Sequence, residues 1–266
     1  MEIKMIAVDM DGTFLNSEKT YDRPRFEKLL DHMDEKGIRF VCASGNQLPK
    51  LEYYFEGLTD RMTFVAENGA YIVDKGEVLY SAVMSNDIVQ KGINALHSYS
   101  DTPFLLCGVN GSYLKKGATG KYADIFRQYY LNISEVNDLH EIEDAILSFT
   151  TIFQISEVPV VLEYLEERIG KHLSVVGSGF GFVDILLPNV HKGLGMKLLQ
   201  ERWNISEDEC AAFGDSPNDI EMLKQVTNGY AMANAEPSVK AVAKYEIGDH
   251  DSTSLLDTIE ELINQD

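Results

Sequence analysis

Four aspartates fall in two short stretches, Asp9-Met10-Asp11-Gly12-Thr13 and Gly214-Asp215-Ser216-Pro217-Asn218-Asp219. Carboxylates in close company are unfavourable without a cation. Oxygen-only ligands suit magnesium, which takes one or two carboxylates, keeps waters and shares a phosphate. Lys192, Ser44 and the loop amides, Gly45 among them, would complement an anion. A hard cation beside anion donors describes a phosphoryl site. An aspartate at a strand end can attack phosphorus and form an aspartyl-phosphate. A second carboxyl two residues on points to the same side of an extended loop. Asp11 could therefore protonate the leaving oxygen of a reaction begun by Asp9, then accept a proton from the hydrolytic water. Gly12 and Thr13 permit the tight turn and donate to the phosphate.

The elements that must position these residues are short apolar runs. Ile3 to Val8 reads as a buried strand ending at Asp9. Arg25 to Lys36 has helical spacing, with Phe26, Leu29, Leu30 and Met33 on one face and Gly37 as the stop. Ile38 to Ala43 is a second strand running into Ser44-Gly45-Asn46, with a helix to Phe55, and Thr63 to Ala66 is a third, ending at Glu67-Asn68-Gly69. Strand, helix, strand, helix, strand implies a parallel sheet with helices on both faces. Ligands bind such sheets outside the carboxyl ends of the strands.

The pattern changes between Val83 and Pro188. Phe104–Cys107, Ser112–Lys115, Leu147–Ile155 and Phe182–Leu187 read as strands, and Asn86–His97, Tyr122–Tyr130 and Val158–Ile169 as helices. The first pattern then resumes. His191–Arg202 reads as a helix, Ser206 to Glu209 has the form of a capping box, Cys210–Phe213 and Thr227–Ala231 read as strands, and Ser252–Ile263 as a closing helix. The expected fold is α/β, a parallel-sheet Rossmann-like core over residues 1–82 and 189–266, with an inserted α+β cap domain over 83–188.

Composition narrows the partners. A net charge of −20 and a pI near 4.6 would repel nucleic acid and anionic membranes, and no Lys/Arg run breaks that background. Cys42, Cys107 and Cys210 are odd in number and show no CxxC spacing, which reads as free thiols in a reducing cytoplasm. The first residues show no secretion signal, no apolar run reaches membrane length, and the six histidines lack HxH or HxxxH pairing. Gly177-Ser178-Gly179-Phe180-Gly181 lacks a following GK[ST] and reads as a bulge or turn. A small phosphorylated metabolite is the expected partner, and no protein partner is implied.

DxDGT after the first strand, a small polar second motif, a lone lysine and GDSxND after a late strand together resemble the haloacid dehalogenase superfamily of phosphatases. VDMDGTFLN, FVAENGA, SGFGFVDI and GDSPNDIEML look like its Cof-type branch, and within that like bacterial sugar phosphatases. The resemblance spans essentially the whole chain and implies a magnesium-dependent phosphatase. It casts Asp9 as nucleophile and magnesium ligand, and Asp11 as general acid and base lending its backbone carbonyl to the metal. Asp215 would ligate magnesium, with Asp219 behind it through a water. Ser44, Lys192 and Asn218 would hold the phosphate, and the insert would be a mobile cap that selects the leaving group. Many relatives carry Thr-Gly-Arg where this chain has Ser44-Gly45-Asn46, so the hydroxyl is kept and the cation is missing. The segment Gly248–Ser254 also lacks the usual Asp-Gly-Val. Two rivals use the same residue types. A phosphomutase would pass the phosphoryl group to a second sugar. A receiver-like signalling module would keep it, which a general acid and base at Asp11 would oppose.

Overall fold

Strands of four or five residues with no exposed position can be buried only in the middle of a sheet covered on both sides. Met5–Val8, Thr63–Ala66 and Cys210–Gly214 are of this kind. The computed structural model describes residues 2–264. Met1, Gln265 and Asp266, which the sequence reading assigns to the core, lie outside the described residues.

The described chain forms two compact units. The first comprises residues 2–45, Phe55–Leu79 and residues 191–264, and the second Asn46–Tyr54 and Tyr80–Val190. The sheet of the first unit runs in the order Tyr245–Ile247, Asn228–Met232, Cys210–Gly214, Met5–Val8, Arg39–Ala43, Thr63–Ala66, Tyr71–Asp74, Glu77–Ser81. The first six strands are parallel. Val8 lies opposite both Cys42 and Phe213, so Asp9, Ser44 and Asp215 leave the sheet along one edge. The fold is the α/β class expected from the sequence.

Helix Arg23–Lys36 is capped by Asp22, whose carboxylate accepts from the Arg25 amide, and it ends at Gly37 with φ of 70°. Its apolar face supplies Phe26 to a ring cluster with Phe14, Tyr21, Phe40 and Phe55, at centroid distances of 4.8 to 5.8 Å. Phe26 is fully buried. Phe26→Ala is expected to cost about 3–5 kcal/mol, read from urea unfolding. A loss below about 1 kcal/mol would show that the cluster refills the space.

The last two strands of this eight-stranded sheet escape the sequence reading, which expects a parallel sheet. Tyr71–Asp74 runs antiparallel to Thr63–Ala66. It turns into Glu77–Ser81 through Lys75 and Gly76, both at positive φ (51° and 85°). Two such residues form the tight turn that suits strand twist, so Lys75-Gly76 was a readable signal. Ile133–Val136, Ser174–Gly177 and Tyr245–Ile247 were also missed, because edge strands that are only partly buried lack the continuous apolar run.

The second unit is built on a six-stranded sheet in the order Ser174–Gly177, Phe182–Leu186, Ile146–Ile152, Phe104–Gly108, Ser112–Lys115, Ile133–Val136. The last pair is parallel, joined through helix Lys121–Tyr129, and the others are antiparallel. Helices Asn86–Tyr99 and Val158–Ile169 pack on each other, with Ile93, Phe149, Val161 and Leu165 in the shared core. The glycine-rich run makes the turn between Ser174–Gly177 and Phe182–Leu186, with Gly179, Phe180 and Gly181 all at positive φ. The helix Leu48–Tyr54, which directly follows the second motif, groups with this unit.

Candidate active site

Asp9 begins where the first strand ends, its amide bonded to the carbonyl of Phe213 on the neighbouring strand at 3.0 Å. That bond fixes the start of the loop and leaves the carboxylate buried at the sheet edge, 5% exposed. Lys192, the first residue of helix Lys192–Trp203, has no exposed surface. Its ammonium donates to Asp9 Oδ1 at 2.5 Å and to Asp219 Oδ1 at 2.7 Å. A lysine buried to this extent needs charge partners, and it has two.

Asp215 joins the group from the end of Cys210–Gly214. Carboxylate oxygens of Asp9, Asp215 and Asp219 lie within 4.8 Å of one another. The short turn Pro217–Asp219 sets the third of them: Asp219 Oδ2 accepts from the amides of Asp215 and Ser216, each at 3.0 Å. Thr13 donates its hydroxyl to Asp215 Oδ1 at 3.0 Å. Gly12 is needed here, because a Cβ on it would lie 2.5 Å from the Asp215 carboxylate, and its φ is 88°. Gly214 is equally constrained, since a Cβ there would meet Asp219 at 2.5 Å.

Three buried carboxylates face one ammonium, which leaves negative charge in excess. Burial, then the Asp219 charge, holds Asp9 well above the usual carboxylate range, with Lys192 opposing. Asp215 is pushed up to about 6 by burial, again with Asp219 beside it. Burial works against the Lys192 charge, but Asp219 and Asp9 outweigh it and hold the lysine protonated. An all-oxygen donor set carrying surplus charge fits a hard divalent cation such as magnesium.

The remaining sequence candidates divide. Ser44 is buried at the next strand end, its amide bonded to Val65 O. Gly45 lies beside Asn68, where a Cβ would come 3.2 Å from the amide nitrogen. Asn218 donates Nδ2 to Asn68 Oδ1 at 2.9 Å, and its own Oδ1 is buried without a partner. Asn68 therefore ties the second and fourth loops together, a role the sequence reading did not give it. Its amide bonds to Ser44 O at 3.0 Å, and Glu67 and Asn68 both take φ near 50°. Such a backbone is uncommon outside glycine and marks the loop as closely held. The signal available was Asn-Gly, which reads as a plain turn. Asp11 is not one of the three carboxylates that gather within 4.8 Å of one another. Its side chain pairs with Lys19 Nζ at 2.6 Å, a partner absent from the sequence expectation.

The profile of the haloacid dehalogenase-like hydrolases matches residues 6–259. The chain is 36% identical, over all of its length and 98% of the other, to 5-amino-6-(5-phospho-D-ribitylamino)uracil phosphatase YbjI of Escherichia coli strain K12. It is 28% identical, over 92% of its length and 90% of the other, to the phosphatase of the same description, YcsE, of Bacillus subtilis strain 168. Among solved structures, that of SMU.1108c from Streptococcus mutans UA159 superposes with a TM-score of 0.95 at 34% identity, covering 99% of this chain and all of the other. No helix among the described residues is long and apolar enough to cross a membrane.

Proposed function

The chain belongs to the Cof-type haloacid dehalogenase-like hydrolases and is a phosphoric monoester hydrolase, and from that premise we propose a magnesium-dependent phosphatase of small phosphorylated metabolites with Asp9 as nucleophile. The observation that carries this reading is the meeting of Asp9, Asp215 and Asp219 around the buried Lys192 at one sheet edge. Asp9, Asp215 and Asp219 would hold the ion, with the Asp11 backbone carbonyl as a further donor. When bound, magnesium neutralises the carboxylates and the charge of the transferring phosphoryl group.

The chain's own residues would do the rest. A carboxylate oxygen of Asp9 forms a bond to phosphorus while the ester P–O bond breaks, and Asp11 gives its proton to the departing oxygen. Asp11 then takes a proton from water as that water bonds to phosphorus. The acyl-phosphate P–O bond breaks, freeing phosphate and restoring Asp9. Lys192, Ser44, Thr13, Asn218 and the amide of Gly45 hold the phosphate oxygens. Residues 83–188 act as the cap that selects the leaving group.

The substrate class is a sugar or sugar-alcohol phosphate. The Escherichia coli relative is named for a substrate whose phosphate sits on a ribityl chain, which is such an ester. The test is phosphate release from a panel of sugar phosphates, ribityl phosphates, cofactor phosphates and nucleotides in magnesium. Esters of primary sugar alcohols are expected to lead, and Asp11→Asn is expected to lower kcat by about 10²- to 10⁴-fold on them. A preference for nucleotides would sink the substrate class. Transfer to a second sugar instead of release would replace hydrolysis by a mutase reaction.

A further inference from the structure

Asn234 lies on the loop after strand Asn228–Met232, a stretch to which the sequence reading assigns no function. It is exposed, yet both ends of its side-chain amide are bonded to backbone. Nδ2 donates to Gly12 O at 2.8 Å, and Oδ1 accepts from the His250 amide at 3.0 Å. A carbonyl can only accept and an N–H can only donate, so these partners fix which end of the amide faces which. Two residues on, the Glu236 amide donates to Asp215 O at 2.9 Å. One short loop therefore holds the first loop through Gly12 and the fourth through Asp215.

What those two bonds hold is a close approach. A Cβ on Gly12 would lie 2.5 Å from Asp215 Oδ2, and Thr13 donates its hydroxyl to Asp215 Oδ1 at 3.0 Å. The Gly12–Thr13 backbone lies directly on the Asp215 carboxylate, and the Asn234 bond holds the carbonyl of that same peptide. Asn234 is itself fixed by the segment Gly248–Ser254, whose sequence is unusual. The Ala233 amide donates to Gly248 O at 3.3 Å. The Asp251 amide and the Ser252 hydroxyl close a turn on Asp249, at 3.0 and 2.6 Å. From this turn Asp251 accepts from the amide and the hydroxyl of Ser17 at 2.7 Å each, and His250 Nδ1 donates to Leu15 O at 2.8 Å. The loop that starts at Asp9 is tied in this way at Gly12, Leu15 and Ser17.

We infer that Asn234 is a positioning residue for the ion site. By holding Gly12 O it keeps the Gly12–Thr13 backbone on the Asp215 carboxylate, and so sets where that carboxylate points relative to Asp9. This rests on the reading of Asp9, Asp215 and Asp219 as the magnesium ligands, and it adds the group behind them. Groups that orient a ligand from behind change metal affinity by about 10- to 100-fold when removed. An exposed hydrogen bond contributes little to stability, because water replaces it. Metal affinity and stability should therefore respond differently to the loss of Asn234.

The full chain would be titrated with magnesium chloride alone at pH 7.5, by calorimetry and by melting temperature. The proteins are wild type, Asn234→Ala, Asn234→Leu, Leu30→Ala and Asp215→Asn. Asn234→Ala is expected to raise the magnesium dissociation constant about tenfold or more while melting within about 4 °C of wild type in EDTA. Asn234→Leu, which fills the same space without a donor, should do the same. Leu30→Ala, cut from the buried face of helix Arg23–Lys36, should melt well below wild type yet keep its magnesium affinity within about twofold. Phosphate release by Asn234→Ala should need more magnesium, and saturating metal should return kcat to within about threefold of wild type. The proposal is overturned if Asn234→Ala binds magnesium within about twofold of wild type while Asp215→Asn loses it. It is equally overturned if Leu30→Ala weakens magnesium binding as much as Asn234→Ala does. If Asp215→Asn itself binds magnesium as wild type does, the reading of the ion site fails first and the role of Asn234 goes with it.

Discussion

Asp9→Asn is expected to remove turnover, by roughly four orders of magnitude or more, while leaving the protein folded and more stable without metal. An amide cannot form the acyl-phosphate, and no other carboxylate stands in its place. Asp219 is held by two backbone amides and Lys192. Asp215 is held by Thr13 and Ser216. The gain in stability follows from charge. The wild-type cluster buries three carboxylates against one ammonium, and burial already pushes Asp9 toward its neutral form. The variant keeps Lys192 paired with Asp219 and removes one of the repelling charges. Melting in EDTA at pH 7.5, beside phosphate release in magnesium, reads both effects. An active Asp9→Asn protein would refute the nucleophile. An inactive one that melts well below wild type would leave misfolding as the cause and refute the charge argument.

Removing the metal should stop phosphate release altogether and also change how stability depends on pH. Asp215 sits at about 6 in the folded chain against an ordinary 3.8, with burial as the main cause. A carboxyl raised on folding binds its proton more tightly in the native state. Its contribution is therefore fully present below about pH 4 and is lost as pH rises through about 6. For Asp215 the rise corresponds to roughly 3 kcal/mol, and Asp9 moves in the same direction. In EDTA, stability is expected to decline between pH 5 and pH 7.5. Magnesium at a hundred times its dissociation constant should return about 2.7 kcal/mol at pH 7.5 and much less at pH 5, where protons compete for the same oxygens. Urea unfolding at the two pH values, with EDTA and with magnesium, measures this. A flat profile in EDTA, or an equal magnesium effect at both pH values, would mean that the three aspartates are not the site of the ion.

The sequence by itself determined the parts that depend on neighbours along the chain. Apolar runs such as Met5–Val8 and Cys210–Gly214 are too short and too uniformly apolar to be anything but central strands, so Asp9 and Asp215 had to lie at strand ends. The 3.6-residue spacing of Phe26, Leu29, Leu30 and Met33 defined a helix, and the Ser206–Glu209 capping box was legible because its bonds span three residues. The DxDGT and GDSxND stretches carried their chemistry in their own spacing.

Tertiary structure alone decided what joins residues far apart in the chain. Lys192 reaches Asp9 across 183 positions, and Asn68 meets Asn218 across 150. No periodicity encodes such pairs, because they depend on the order in which parallel strands are laid side by side. The Lys19–Asp11 pair is short in sequence but was equally hidden. It exists because Asp251, His250 and Asn234 hold the intervening loop in a backbone that lysine would not choose alone. Local propensity argues against φ of 58° at that residue, and the bonds of the Asn16–Thr20 turn together with those from Asp251, His250 and Asn234 overrule it.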